Sequence, residues 1–131
     1  MVDSVPEALY SHHGNERQHR LEQLESLIRS AGGQQLESWL NEYLDLGLEL
    51  AAAAGARRLP ALQESWLRRI YTHIRNTAIC DHCNDGQRQR CLECLYQPYF
   101  ALRHLYSGSR DGQMHLRRLS QDLSTVSRYL L

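Results

Sequence analysis

The feature that most constrains the fold is the spacing of the apolar residues, which recur every three or four positions in five successive segments. This spacing places apolar side chains on one face of an α-helix, and no segment of useful length alternates with the period of two typical of a β-strand. Amphipathic helices bury their apolar faces against one another, and short connections favour antiparallel neighbours. The sequence therefore predicts an all-α fold, a small bundle of four to five helices.

Capping and breaking residues predict where the helices begin. Asn15 is suited to the N-cap of the first helix, so we expect residues 1–14 to form a flexible N-terminal tail and residues 15–131 to form a single helical domain. Gly32 and Gly33 are expected to end this helix.

The periodicity also predicts which residues are buried. The second helix, over 34–54 with Gly55 at its end, has eight residues on one face: Leu36, Leu40, Tyr43, Leu44, Gly47, Leu50, Ala51 and Ala54. The third helix begins near Pro60 and is expected to bury four residues: Leu62, Trp66, Ile70 and Ile74. The fourth helix is expected over roughly 91–107, with Pro98 either starting its main part or kinking it.

The composition sets limits on the class of protein. A length of 131 residues and an apolar content of 42% suit one globular domain. No run of about 18 apolar residues is present, so no transmembrane helix is expected. The start of the chain lacks the basic and apolar regions of a secretory signal peptide. We therefore expect a cytoplasmic protein, in which thiols stay reduced.

Two Cys-x-x-Cys pairs form the most specific motif. The chain has four cysteines, and all lie within 80-CDHCNDGQRQRCLEC-94. Thiolates three residues apart can face one ion from a turn or a helix face, and two pairs complete a tetrahedron. The sequence therefore predicts a Zn²⁺ site in a turn between the third and fourth helices, with the ligands Cys80, Cys83, Cys91 and Cys94. Asn84 and Gly86 are expected to adopt left-handed conformations in this turn.

Two other chemistries remain open for the same thiols. Four cysteines also suffice for an iron–sulfur cluster, although the spacing differs from the dense run of ferredoxins. A redox-active dithiol is the second alternative, but the strand that precedes such a motif in thioredoxin-like folds is missing. His82, between Cys80 and Cys83, is a possible alternative ligand. His73 and His104 fall within helices, where core or surface positions are expected rather than ligation.

The charges divide the chain into two halves. Residues 1–50 carry nine acidic residues and three arginines, and residues 51–131 carry six acidic residues and twelve arginines. The basic half supplies candidate partner-binding residues: Arg68, Arg69, Arg88, Arg90, Arg117 and Arg118. Nucleic acid is a possible but weakly supported partner, because the net charge is zero and no helix-turn-helix signature is evident.

The function expected from these features is binding rather than catalysis. No phosphate loop, nucleophile elbow or His-Glu-x-x-His motif is present, so no catalytic residue is predicted. Four cysteine ligands would leave zinc no open position, which makes the site structural. We therefore expect a zinc-stapled helical module, a bacterial regulator or adaptor that docks on a partner protein or forms a homodimer. The alternatives are a metal- or redox-responsive sensor and a nucleic-acid-binding regulator.

Overall fold

Five helices make up the part of the chain that the computed structural model describes, residues 4–30, 34–80 and 83–129. They are α1 (Ser4–Ser30), α2 (Leu36–Ala56), α3 (Pro60–Ala78), α4 (Asp85–Tyr106) and α5 (Arg110–Tyr129). No strand occurs in these ranges, so the prediction of an all-α helical bundle is confirmed. None of the described helices combines the length and the apolar character needed to span a bilayer.

The third helix occupies the centre of the bundle. It packs most extensively against α4 and α2, while α1 lies mainly on α2 and α5 lies mainly on α4. The buried stripe predicted for α2 is confirmed, because all eight of its residues are buried. Trp66, Ile70 and Ile74 of α3 are also buried. Leu62 is 42% exposed, so its predicted burial is wrong. Leu62 lies in the first turn of α3. The apolar spacing of the sequence extends to this turn, but the buried core does not reach it.

Two glycines allow close approach between elements. A Cβ added to Gly47 of α2 would overlap the side chain of Ile70 in α3. A Cβ added to Gly112 in the first turn of α5 would overlap the backbone carbonyl of Tyr106, at the end of α4. The absence of a side chain at these two positions therefore sets how closely α2 meets α3 and how tightly the chain turns from α4 into α5.

Several predicted boundaries differ from those observed. Helix α1 begins at Ser4, so the N-cap predicted at Asn15 is wrong, and the segment predicted as a tail is helical from Ser4. That this segment lies outside the folded domain stays a prediction. Gly55 lies inside α2, which ends one residue later. The predicted stop at 32–33 falls outside the described residues.

The fourth helix begins six residues before its predicted start. Asn84 is its N-cap, with the extended backbone angles φ −79° and ψ 173°, and Gly86 lies in its first turn. The left-handed conformations predicted for these two residues are therefore wrong. Pro98 lies inside α4 rather than starting it. Because proline has no N–H, the carbonyl of Cys94 lacks its usual donor four residues later.

Candidate metal site at the α3–α4 junction

All four cysteines lie where α3 passes into α4. Cys80 follows the end of α3 by two residues, and Cys83 directly precedes the N-cap of α4. Cys91 and Cys94 are three residues apart within α4, on the side that faces the core. The first pair therefore lies just past the end of α3 and the second pair lies within α4, as the sequence predicts.

Backbone hydrogen bonds shape the first pair. The Cys83 N–H donates to the Cys80 carbonyl at 3.3 Å. The Arg88 guanidinium donates to the same carbonyl at 3.3 Å. The Cys83 thiol donates to the carbonyl of Thr77, with 3.3 Å between sulfur and oxygen. These two hydrogen bonds of Cys83 hold it against the last turn of α3.

A capping box fixes the start of the helix that carries the second pair. The Asn84 side chain accepts from the Gln87 N–H at 2.8 Å, and the Gln87 side chain accepts from the Asn84 N–H at 3.0 Å. This reciprocal pair satisfies two backbone donors at the helix start. The cap lies next to Cys83, so it fixes the position of the turn relative to Cys91.

Burial determines the protonation of the thiols. Cys91 is fully buried and Cys94 is 4% exposed. Burial, with a smaller effect of Cys83 and Cys94, raises the pKa of Cys91 to about 12. Burial also raises the pKa of Cys83 and of Cys94, although Arg88 and Arg90 respectively act in the opposite direction. Without a metal, these three thiols are protonated at neutral pH.

The four thiols do not share one environment. A cavity of about 260 Å³ lies beside the end of α3 and is lined by Ile28, Arg29, His73, Asn76, Thr77, Cys80 and Cys83. Cys94 lines a different cavity of about 350 Å³ between α2 and α4, with Asn41, Leu44, Asp45, Arg90, Glu93 and Gln97. Cys91 lines neither of these two cavities.

A partly buried histidine, His73, lines the first cavity. The Nε2 atom of His73 is shielded from solvent and has no hydrogen-bond partner among the described residues. The centroid of the His73 ring stands 5.2 Å from that of the Tyr43 ring. Burial lowers the pKa of His73. The imidazole is therefore neutral at neutral pH, and one of its two nitrogens then carries a proton.

The convergence of four thiols on one point is not confirmed. Among the residues in 4–30, 34–80 and 83–129, no group of three or more His, Cys, Asp or Glu side chains is arranged to hold a metal ion. The donors nevertheless have the right chemistry, since thiolates and imidazole are the ligands that Zn²⁺ prefers. His82, the predicted alternative ligand, lies outside the described residues.

Several of the predicted partner-binding arginines already have partners within the chain. Arg69 forms two hydrogen bonds to the Glu25 carboxylate, at 2.9 and 2.7 Å. Arg90 pairs with Glu37 at 3.6 Å and with Glu93 at 3.3 Å. Arg88 is half-buried beside the turn. Three of the predicted arginines are exposed: Arg68, Arg117 and Arg118.

Sequence reasoning missed a polar network at the centre of the bundle. The Glu25 side chain is buried between α1 and α3, and it accepts from the Tyr43 hydroxyl at 2.7 Å as well as from Arg69. Glu25 follows the buried Leu21 by four residues and precedes the buried Ile28 by three, so its position on the core side of α1 was the available signal. Comparisons with known proteins give no further guidance, because no protein-family model, curated protein or solved structure matches the chain.

Proposed function

We propose that this protein is a non-enzymatic binding module, a cytoplasmic regulator or adaptor whose α3–α4 junction binds zinc and whose surface docks on a partner protein. The observation that carries this proposal is the gathering of all four cysteines of the chain at one junction of two helices. The zinc ligands are drawn from Cys80, Cys83, Cys91 and Cys94. Bound zinc would supply a crosslink between the end of α3 and the first turns of α4.

The thiol environments favour a structural metal site over a redox-active dithiol. Reactive cysteines have a lowered pKa, which keeps the nucleophilic thiolate populated. Burial raises the pKa of Cys83, Cys91 and Cys94 instead. Thiols of this kind react slowly with oxidants, but they bind a metal that displaces their protons.

The surface favours a protein partner over a nucleic acid. The ion pairs of Arg69 and Arg90 reduce the positive charge available to phosphates. By contrast, Tyr96 and Phe100 of α4 have exposed fractions of 41% and 54%, and the centroids of their stacked rings are 6.2 Å apart. Aromatic side chains are enriched in protein–protein interfaces, which supports docking through this face of α4.

Metal analysis tests the zinc part of the proposal. The protein is purified anaerobically without a metal-affinity column, and its metal content and absorption spectrum are measured. One zinc per chain and no visible absorption are expected. Iron with sulfide and a brown chromophore would show that the site holds an iron–sulfur cluster instead of zinc. Absence of any bound metal would contradict the proposed site.

Affinity capture with matched variants tests the docking part. The double variant Tyr96→Ser/Phe100→Ser is compared with the wild type and with Met114→Ser, which alters an exposed apolar residue on α5. We expect the wild type and the Met114 variant to retain the same protein and the double variant to lose it. A captured species that nuclease treatment removes would instead identify a nucleic-acid partner.

A further inference from the structure

The exposed side of α4 carries residues at the spacing of a helix–helix contact. Six residues in this helix and just after it follow one another in alternating steps of four and three, and all six are exposed: Gln89, Glu93, Tyr96, Phe100, Arg103 and Ser107. Such steps keep residues on one face of a helix and are the spacing along which two helices pack. These residues, the outer stripe of α4, therefore have the geometry of a seam between helices, although they are exposed in the single chain.

The two aromatic residues at the centre of the outer stripe are held in place. The ring of Phe100 stacks on Tyr96 and also makes an edge contact with Tyr99, with 5.4 Å between the latter two centroids. The Tyr99 hydroxyl lies within hydrogen-bond distance of Ser120 Oγ in α5, at 3.0 Å. Because rings that are already ordered lose little side-chain entropy when they are covered, this arrangement favours association.

One acidic and one basic residue flank the aromatic pair at equal separations. Glu93 precedes Tyr96 by three residues, and Arg103 follows Phe100 by three. Arg103 is exposed and has no ion pair with the residues that the structure describes. Glu93 accepts from Arg90 through Oε2 at 3.3 Å, but its side chain is 52% exposed, so the carboxylate can accept from a second donor. The outer stripe therefore has an acidic end, an aromatic centre and a basic end.

We propose that the outer stripe of α4 binds the outer stripe of a second copy of this chain, with the two helices antiparallel across a two-fold axis. The inference rests on the proposed docking function and names its partner. In a two-fold contact, residue i of one copy meets residue j of the other, and the reverse. With the axis midway between Tyr96 and Phe100, Glu93 of each copy faces Arg103 of the other, and Tyr96 of each copy faces Phe100 of the other.

The charges favour this arrangement over a parallel one. In a parallel pair Glu93 would face Glu93 and Arg103 would face Arg103, and like charges at an interface oppose association. The antiparallel pair instead forms two contacts between opposite charges, on either side of an aromatic centre of the kind enriched in protein interfaces. A partner of different sequence would not require the symmetric order of these four residues, whereas a second copy does.

The contact is narrow, because it uses one helix of each copy. Interfaces at the lower end of the size range are weak and transient. We therefore expect a monomer–dimer equilibrium with a dissociation constant of about 10–100 µM. Sedimentation equilibrium of the full chain, from about 1 µM to about 1 mM, covers this range.

Charge reversal tests the pairing itself. Glu93→Arg and Arg103→Glu each place like charges in both contacts of the dimer, so each variant alone should associate at least about tenfold more weakly than the wild type. In a one-to-one mixture of the two variants, both contacts of the mixed dimer again join opposite charges, and association should return to within about threefold of the wild type. Arg57→Glu, at an exposed arginine beyond the end of α2, is the control and should associate as the wild type does. Circular dichroism establishes that each variant is folded.

Two results would overturn the inference: a wild type that stays monomeric over the whole concentration range, and a mixture that associates no better than either variant alone. Capture experiments separate this failure from a failure of the docking function. A monomeric wild type whose captured protein is of different sequence and is lost in Tyr96→Ser/Phe100→Ser would overturn self-association alone. A monomeric wild type whose capture the double variant leaves unchanged would overturn both.

Discussion

Gly47 of α2 lies directly against Ile70 of α3, so that a Cβ at position 47 would stand 3.1 Å from Ile70 Cδ1 and would overlap Cγ2. Ile70 is fully buried and cannot move into solvent. We expect Gly47→Ala to lower the free energy of unfolding by about 1–3 kcal/mol through overpacking, despite the better helix propensity of alanine. Chemical denaturation measures the difference.

Gly86 provides the matched control for this substitution. It is exposed in the first turn of α4, and the nearest atom to an added Cβ is 3.5 Å away. Gly86→Ala should therefore leave stability unchanged or raise it by up to about 1 kcal/mol. Equal effects of the two substitutions would contradict a steric origin.

The Glu25 carboxylate should make stability depend on acid pH. Its burial raises its pKa, but hydrogen bonds from Arg69 and Tyr43 outweigh burial and hold the pKa below the ordinary value. A group with a lowered folded-state pKa contributes stability above its unfolded pKa, and this contribution is lost as the pH falls through the folded-state pKa. We expect Glu25→Gln to lower the free energy of unfolding at pH 7 by about 2 kcal/mol and to flatten its fall below about pH 4.

Glu42 offers a control for the buried carboxylate. It accepts two hydrogen bonds from Arg20, at 2.6 and 2.7 Å, but its side chain is 42% exposed. Solvent screens such a pair, so Glu42→Gln is expected to change stability less than Glu25→Gln. Denaturation curves from pH 2 to 8 compare the variants, and parallel pH profiles for wild type and Glu25→Gln would count against the role assigned to Glu25.

The capping box of α4 should contribute measurably to stability. Asn84→Ala removes the side chain that accepts from the Gln87 N–H, and we expect a loss of about 1 kcal/mol. Gln35 at the N-cap of α2 makes no side-chain cap hydrogen bond, so Gln35→Ala is the control. Thermal unfolding should separate the two variants, and indistinguishable midpoints would show that the cap has no net effect.

Zinc should stabilise the fold in proportion to the logarithm of its free concentration. If zinc binds only the folded chain, the free energy of unfolding rises by about 1.4 kcal/mol for each tenfold increase in free zinc above the dissociation constant. Cys83→Ser removes a proposed ligand and should abolish this dependence. The measurement is urea denaturation in zinc buffers, and a flat response of the wild type would contradict coupling between metal and folding.

The sequence predicted the parts of the fold that depend on apolar periodicity. The eight buried residues of α2 could be identified because α2 packs against two helices, α1 and α3, and its apolar stripe runs along the whole helix. The start of α4 was missed because residues 85–90 are polar and show no stripe. The spacing of Asn84 and Gln87, which is that of a capping box, was the signal for it.

The candidate site was less predictable than the fold. Position in the sequence places the four cysteines at one junction, but it does not determine that Cys94 lines a different cavity from Cys80. The burial of the unpartnered Nε2 atom of His73 depends on how α1 packs against α3, because Ile28 and Arg29 of α1 line the same cavity as His73. Contacts of this kind arise from tertiary packing and have no local sequence signature.

The contact between Gly112 and the Tyr106 carbonyl determines which substitutions position 112 can tolerate. A clash with a side chain can be relieved by a change of rotamer, but the obstacle here is backbone, so every other amino acid meets it. In a saturation library selected for folded protein, position 112 should accept only glycine, while position 86 should accept most residues. The turn between α4 and α5 can therefore change in sequence at Gly108, where the nearest atom to an added Cβ is 4.0 Å away, but not at Gly112.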